Sequence, residues 1–311
     1  MKRLFVSMLA VLLVSLTASA ITINKALLQH NDQVTLFDGD KIQDAVNAAV
    51  DGDIIYLTLG TFKPFDVTKK ITIRGTGETS VIDGNVNISI PGSAKLTSPV
   101  LEALAVSGTV NIGAQVDDII IRKCKITNFT IGAQIDGAVI DRCYITEYLT
   151  LSSYIKSMTV VNSKLSRVQA NSEATQNTTF VNCNMSIITG CFSATIINSI
   201  IYATYSNSLS SSYNSSLSSS VVLNTLYGSN YCSFASSSVL QNCYPYSSSI
   251  NLTKEQLQSN DYLGTDGTVV GIYGGDTPYT LEPSVPKVTS SALQLDMEQK
   301  KLNVKLTVSP Q

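Results

Sequence analysis

Two consecutive segments, NIGAQVDDIIIRKCKIT (111–127) and TIGAQIDGAVIDRCYIT (130–146), align at an offset of 19 residues. The second half of this unit then recurs as MTVVNSKLS (158–166), TTFVNCNMS (178–186), ATIINSIIY (194–202), VVLNTLY (221–227) and SVLQNCY (238–244). Each copy is an apolar strand, a polar residue, a small Cys, Ser or Thr, and a second strand. Helical repeats need more than thirty residues and a helical apolar period, and neither is present. A unit near twenty residues fits one turn of a β-solenoid with three short strands.

In a solenoid, equivalent residues stack about 4.8 Å apart. Asn162, Asn182, Asn198, Asn224 and Asn242 then form one column at a bend. Asn suits it because it tolerates left-handed backbone, and stacked amides are expected to bond to one another. The next column, Cys124, Cys143, Ser163, Cys183, Ser199, Thr225 and Cys243, reads as an inward stack of small side chains. Cysteine behaves there as a small hydrophobe, so these thiols, with Cys191 and Cys232, are expected to be free and buried. No CxxC pair occurs and His30 is the one histidine, so neither a zinc site nor any cofactor is expected.

A solenoid's end exposes core and strand edges unless covered. Ile42, Ala45, Val46 and Ala49 share one face of a short helix, which reads as a lid on the first coil. Asp38 or Asp40 is expected to cap its N-terminus, and Asp51-Gly52-Asp53 to turn the chain into the first strand.

The opening IQDAVNAAVDGDIIYLTLGTF (42–62), ITIRGTGETSVIDG (71–84) and the strand-Asn-small-strand coils resemble the pectin-lyase-like superfamily. The resemblance spans roughly residues 41–243 and implies a right-handed parallel β-helix. GIYGGDTPY (271–279) followed by PSVPKV (283–288) looks like the closing segment of secreted bacterial β-helix proteins, most without an assigned function. The domain reading is a signal peptide (1–20), a parallel β-helix with N-terminal cap (21–270), and a closing segment with a C-terminal β-hairpin (271–311). That hairpin is expected to close the solenoid's end or dock alongside it.

The signal-peptide reading rests on Lys2 and Arg3, an apolar run and Ala18-Ser19-Ala20. It places the chain outside the cytoplasm, in the periplasm, at the cell surface or in the medium of a bacterium, with no membrane-spanning segment in the mature chain. Without Lys2 and Arg3, 19 basic residues face 23 acidic ones, a net charge of −4 that gives no footprint for nucleic acid.

Family enzymes that cut acidic polysaccharides carry carboxylates on one strand face. Lyases use them to hold calcium, and hydrolases use them as a pair. The corresponding strands here hold Gly, Ala, Gln, Thr, Ser and Asn, and Glu173 is the one carboxylate between Tyr148 and Ile250. No catalytic residue is therefore assigned. Glu173 with Lys156, Lys164 and Arg167 forms a looser alternative. At the 19-residue offset Asp117 stacks on Asp136, which leaves two readings: a shared calcium ion, or aspartates capping turn N–H groups. Arg122 stacks on Asp141, read as a surface ion pair, and Lys123 on Arg142.

Residues 202–249 mix tyrosine with serine and asparagine and carry no charge. Tyrosine gives rigid stacking area, and serine and asparagine give adaptable hydrogen bonds. Tyr202, Tyr205, Tyr213, Tyr227 and Tyr231 are the candidate glycan contacts. The expected function is glycan binding or a surface scaffold, without catalysis. The alternative is a lyase or glycoside hydrolase acting on an acidic, plant or host polysaccharide.

Overall fold

The computed structural model describes residues 24–90, 100–113, 116–132, 135–151, 155–170, 177–204, 217–247 and 252–281, and the backbone of 287–296 and 301–309. It is a mostly parallel β-solenoid of about eight turns with few helices. Three faces repeat. On the first, strands Ile54–Leu57, Thr72–Arg74, Leu101–Glu102, Ile119–Arg122, Ala138–Asp141 and their successors stack in order to Val239–Gln241. Early coils carry separate second- and third-face strands, such as Ser80–Ile82 and Val86–Ile88. Later coils fuse the two into single strands, such as Lys125–Ile131 and Tyr144–Leu151, with a register shift at the bend.

One inward row is apolar without interruption. Ile121, Ile140, Val160, Phe180, Ile196 and Val222 stack on the first face, each essentially free of solvent. The corner that follows repeats one device. Lys123, Arg142, Asn162, Asn182, Asn198, Asn224 and Asn242 all have positive φ, between 44° and 53°. Asparagine visits this region more cheaply than other non-glycine residues, which accounts for its recurrence. The next side chain turns inward and repairs the corner's backbone. Ser163 Oγ donates to the Val161 carbonyl (2.8 Å) and accepts from the Cys143 N–H of the coil below (3.0 Å). Ser199 repeats this with Ile197 O and Cys183 N–H.

All six cysteines are free. The Cys183 thiol donates to Val160 O and Val181 O at 3.3 Å. Burial pushes the Cys183 and Cys191 thiols up to about 12.

The helix α1 (Ile42–Ala48) covers the first coil with Ile42, Ala45 and Val46 fully buried. Gln43 replaces a missing neighbouring strand: its amide accepts from Asp66 N–H (2.8 Å) and donates to Asp66 O (3.3 Å). Lys69 Nζ meets the carbonyls of Asn47 and Ala49 at 2.6 Å, where a cation also complements the helix dipole. The expected aspartate cap is absent. Neither Asp38 nor Asp40 caps the helix through its side chain, and Asp38 is instead drawn to Lys25 across the hairpin Lys25–His30/Gln33–Asp38. Asp53 does hold its turn, accepting from Val50 N–H (2.9 Å).

From helix α2 (Lys254–Ser259), opened by a Thr253–Gln256 capping box, the chain runs back down the solenoid as a strap. Leu257, Val269 and Val270 bury against Ile200, Leu226 and Tyr246. The corner asparagines bond to this strap, where amide-to-amide stacking was expected. Asn198 Oδ1 accepts from Thr265 N–H (3.0 Å), and Asn162 Nδ2 donates to Gly274 O (2.8 Å). Gly271 (φ 79°) passes so close that a Cβ would fall 2.3 Å from Asn184 Oδ1. A side-chain amide ladder does form, but on the outer row of the third face: Asn111 Nδ2 to Asn87 Oδ1 (3.0 Å), and Asn87 Nδ2 to Asp66 Oδ1 (2.7 Å).

Ser199→Ala orphans the buried Cys183 N–H, while the Ile197 carbonyl keeps the Asn182 N–H, so it should lower stability by about 1–3 kcal/mol in urea titration. In the native protein a thiol reagent at pH 8 should spare Cys124, Cys143, Cys183 and Cys191, which are buried. It should reach the half-buried Cys232 and Cys243 first, and all six in denaturant.

Candidate functional site

The densest charge cluster lies where the first face meets its corner, in the early coils. Arg74 Nε donates to Glu102 Oε2 (2.7 Å), and Arg122 Nε to Asp141 Oδ2 (3.1 Å). Arg142 also grips Asp141, through Nε (2.9 Å) and Nη2 (2.7 Å). Glu102, Lys123 and Asp141 are buried, so Arg122–Asp141 is not the surface ion pair that the sequence reading expected. Burial, followed by repulsion from Arg142, lowers the Lys123 pKa against the opposing pull of Glu102 and Asp141. Both carboxylates are committed to guanidinium groups, and Arg122 stands between them in register. The cluster therefore holds coils together, and neither acid faces an open groove with a free oxygen pair. Arg74 and Glu102 escaped the sequence reading because they lie 28 residues apart, off the twenty-residue spacing.

Asp117 and Asp136 come together as stacking requires. Asp117 Oδ1 accepts from the Asp136 N–H at 3.1 Å, and Asp136 Oδ2 lies 2.5 Å from Lys156 Nζ. This geometry is that of a turn cap and an ion pair. Among the described residues no group of three or more His, Cys, Asp or Glu converges as metal ligands would.

Lys164 Nζ sits over the Tyr144 ring at 4.8 Å, and the Arg167 guanidinium over Tyr148 at 4.9 Å. Arg167 also donates to Tyr148 Oη (2.7 Å). Glu173 lies outside the described residues, as do Tyr205 and Tyr213.

The remaining candidate tyrosines divide between surface and core. Tyr202 and Tyr231 stack with ring centres 5.3 Å apart, and Tyr231 is 40% exposed. Their turn is locked by buried Thr204, whose backbone N–H reaches Tyr231 O (3.0 Å) and whose hydroxyl accepts from Ser233 N–H (2.7 Å). Tyr227 instead packs edge-on against Phe234 (5.2 Å) and against the core. Tyr246, not singled out from sequence, belongs beside Tyr202. It pairs in register with Gly228, which follows Tyr227, the partner of Ile201. Its ring is buried and its hydroxyl has no hydrogen-bond partner. Burial, then Cys232 and Tyr202, raises its pKa. The register of YPY (244–246) within the repeat could have revealed it.

Comparison with known proteins returned no matching family model, no matching curated protein and no matching solved structure.

Millimolar calcium should leave the melting temperature unchanged, because the Asp136 N–H and Lys156 each engage one aspartate oxygen and no third carboxylate converges there. A rise of several degrees that Asp117→Asn abolished would restore the metal reading.

Proposed function

We propose that this chain is an exported bacterial protein of the pectin-lyase-like kind that binds neutral glycan without cleaving it. The observation that carries the reading is the Tyr202–Tyr231 ring pair, with Tyr231 40% exposed, in a stretch (202–249) without charged residues. Sugar rings offer apolar faces to tyrosine and hydroxyls to serine and asparagine, so such a surface suits them. The buried pairing of Glu102 and Asp141 with arginines supports binding over acid–base cleavage. Residues 1–20 would direct export.

The test is co-sedimentation of the mature chain with a panel of neutral and acidic polysaccharides, with assay for new reducing ends and unsaturated products. Binding without product, weakened roughly five- to tenfold by Tyr231→Ala or Tyr202→Ala, is the expected result. Release of products from any member of the panel would make the chain a lyase or hydrolase instead.

A further inference from the structure

Several strand edges at the two ends of the solenoid are closed. At the N-terminal end Gln43 takes the place of a strand beside Phe65–Val67, and the Asn24 amide donates to Thr61 O on strand Gly60–Phe62. At the C-terminal end the last strand of the second face is Tyr244–Tyr246. Tyr244 and Tyr246 turn their backbone groups back to Thr225 and Ser229, so Pro245 faces outward with no N–H to offer.

Among the described residues two edges stay open, and both belong to the first-face sheet. That sheet begins at Gln33–Asp38, the outer strand of the N-terminal hairpin, and ends at Val239–Gln241. The strands Lys287–Asp296 and Lys301–Ser309 pair only with each other, so they occupy neither. Both edges lack Lys and Pro, the residues that commonly blunt a free strand. Val34 is 59% and Leu36 65% exposed on the first; Val239 is 56% and Leu240 38% exposed on the second.

The two edges are complementary. Gln33–Asp38 is antiparallel to Lys25–His30, which is antiparallel to Ile54–Leu57, so it runs in the direction of the solenoid strands. The two-residue turn at Asn31-Asp32 makes His30/Gln33 a hydrogen-bonded pair. Alternation then leaves the N–H and C=O of Val34 and Leu36 on the free side. On the other edge, Val239 N–H is spent on Ser220 O, and Gln241 O on Asn224 N–H. Leu240 therefore turns its N–H and C=O outward, with the Asn242 N–H beyond it.

We infer that copies of this chain associate head to tail, strand Gln33–Asp38 of an incoming copy adding in parallel to Val239–Gln241. With Val34 opposite Val239, Thr35 opposite Leu240 and Leu36 opposite Gln241, the junction repeats the bonds between successive coils. Val34 N–H reaches Ser238 O, as Val239 N–H reaches Ser220 O. Leu240 N–H reaches Val34 O, and Leu36 N–H reaches Leu240 O. Asn242 N–H reaches Leu36 O, as Asn224 N–H reaches Gln241 O. Side chains keep their faces: Val34 continues the outer row of Val221 and Val239, and Thr35 joins Leu240 on the core side. Residues 202–249 carry no charge, so nothing in the last coil repels Asp32 or Asp38 of the incoming strand. The contact is heterologous and does not close on itself, so it builds a polar filament. Short edges bury little area, which makes the association weak and dependent on concentration.

Sedimentation velocity of the mature chain tests this. The sedimentation coefficient should climb with concentration and pass the dimer without a plateau. Val34→Lys and Val239→Lys, each at an exposed side chain, should each weaken association by at least about tenfold, with unchanged circular dichroism. Mixed together, these two chains should form dimers that grow no further, because one supplies the intact Val239–Gln241 edge and the other the intact Gln33–Asp38 edge. Thr159→Lys, in mid-face, should associate as the parent does. A monomer at every concentration would overturn the inference. So would a parent that saturates as a dimer, undiminished association of either edge variant, a mixture that stays monomeric, or loss of association in Thr159→Lys, which would mean side-by-side contact. Neither edge includes Tyr202 or Tyr231, so the glycan reading stands or falls separately.

Discussion

The fold depends on one corner, repeated coil after coil: a left-handed residue followed by an inward hydroxyl or thiol. At that corner the chain changes face, so the buried N–H of the small residue leaves the ladder, while the carbonyl two residues back stays in it. The small side chain bonds the carbonyl two residues back and, where it is a hydroxyl, the N–H of the coil below. Partners lie 20 residues apart at Cys143–Ser163, 16 at Cys183–Ser199 and 26 at Ser199–Thr225. Coil length can vary this much because extra residues are placed elsewhere in the turn and the corner keeps its register. A buried unpaired backbone group costs more than a change in loop length, and this asymmetry holds the repeat together.

The ends are treated differently. The N-terminal end is closed by α1, where Gln43 supplies the donor and acceptor of a strand that is not there. At the other end Val239, Leu240 and Tyr244 stay exposed, and the chain turns back along the flank. The strap takes its hydrogen bonds from the corner asparagines, so the column that shapes each bend also anchors the closing segment. One buried member, Asn182, is left with its carbonyl oxygen unpaired.

What was legible in the sequence follows from range. The coils, the left-handed asparagines, the free cysteines and the lid face of the helix are local or repeat at short offsets, so the pattern exposes them. The destination of the asparagine amides was not legible. Asn198 meets Thr265 across 67 residues and Asn162 meets Gly274 across 112, and no periodicity links them. Asp38 was a sound cap candidate by position, but Lys25 competes for it through a hairpin the repeat does not announce. Tyr227 shows the limit for surfaces: composition marks a tyrosine-rich stretch, while packing against Phe234 decides which rings are left over.

Coverage narrows where a ligand can bind. The strap occupies the second face from Asn184 onward. The third face presents its outer amides with Thr130, Thr150 and Gln169, beside the turn bearing Tyr202 and Tyr231. These surfaces present amides, hydroxyls and tyrosine rings. The guanidinium-bound carboxylates lie at the opposite edge of the first face, between coils. A polymer lying along the free side would meet hydrogen-bonding groups spaced at the strand repeat and then an aromatic step. On the proposed reading, that arrangement would hold a chain of sugars without breaking it.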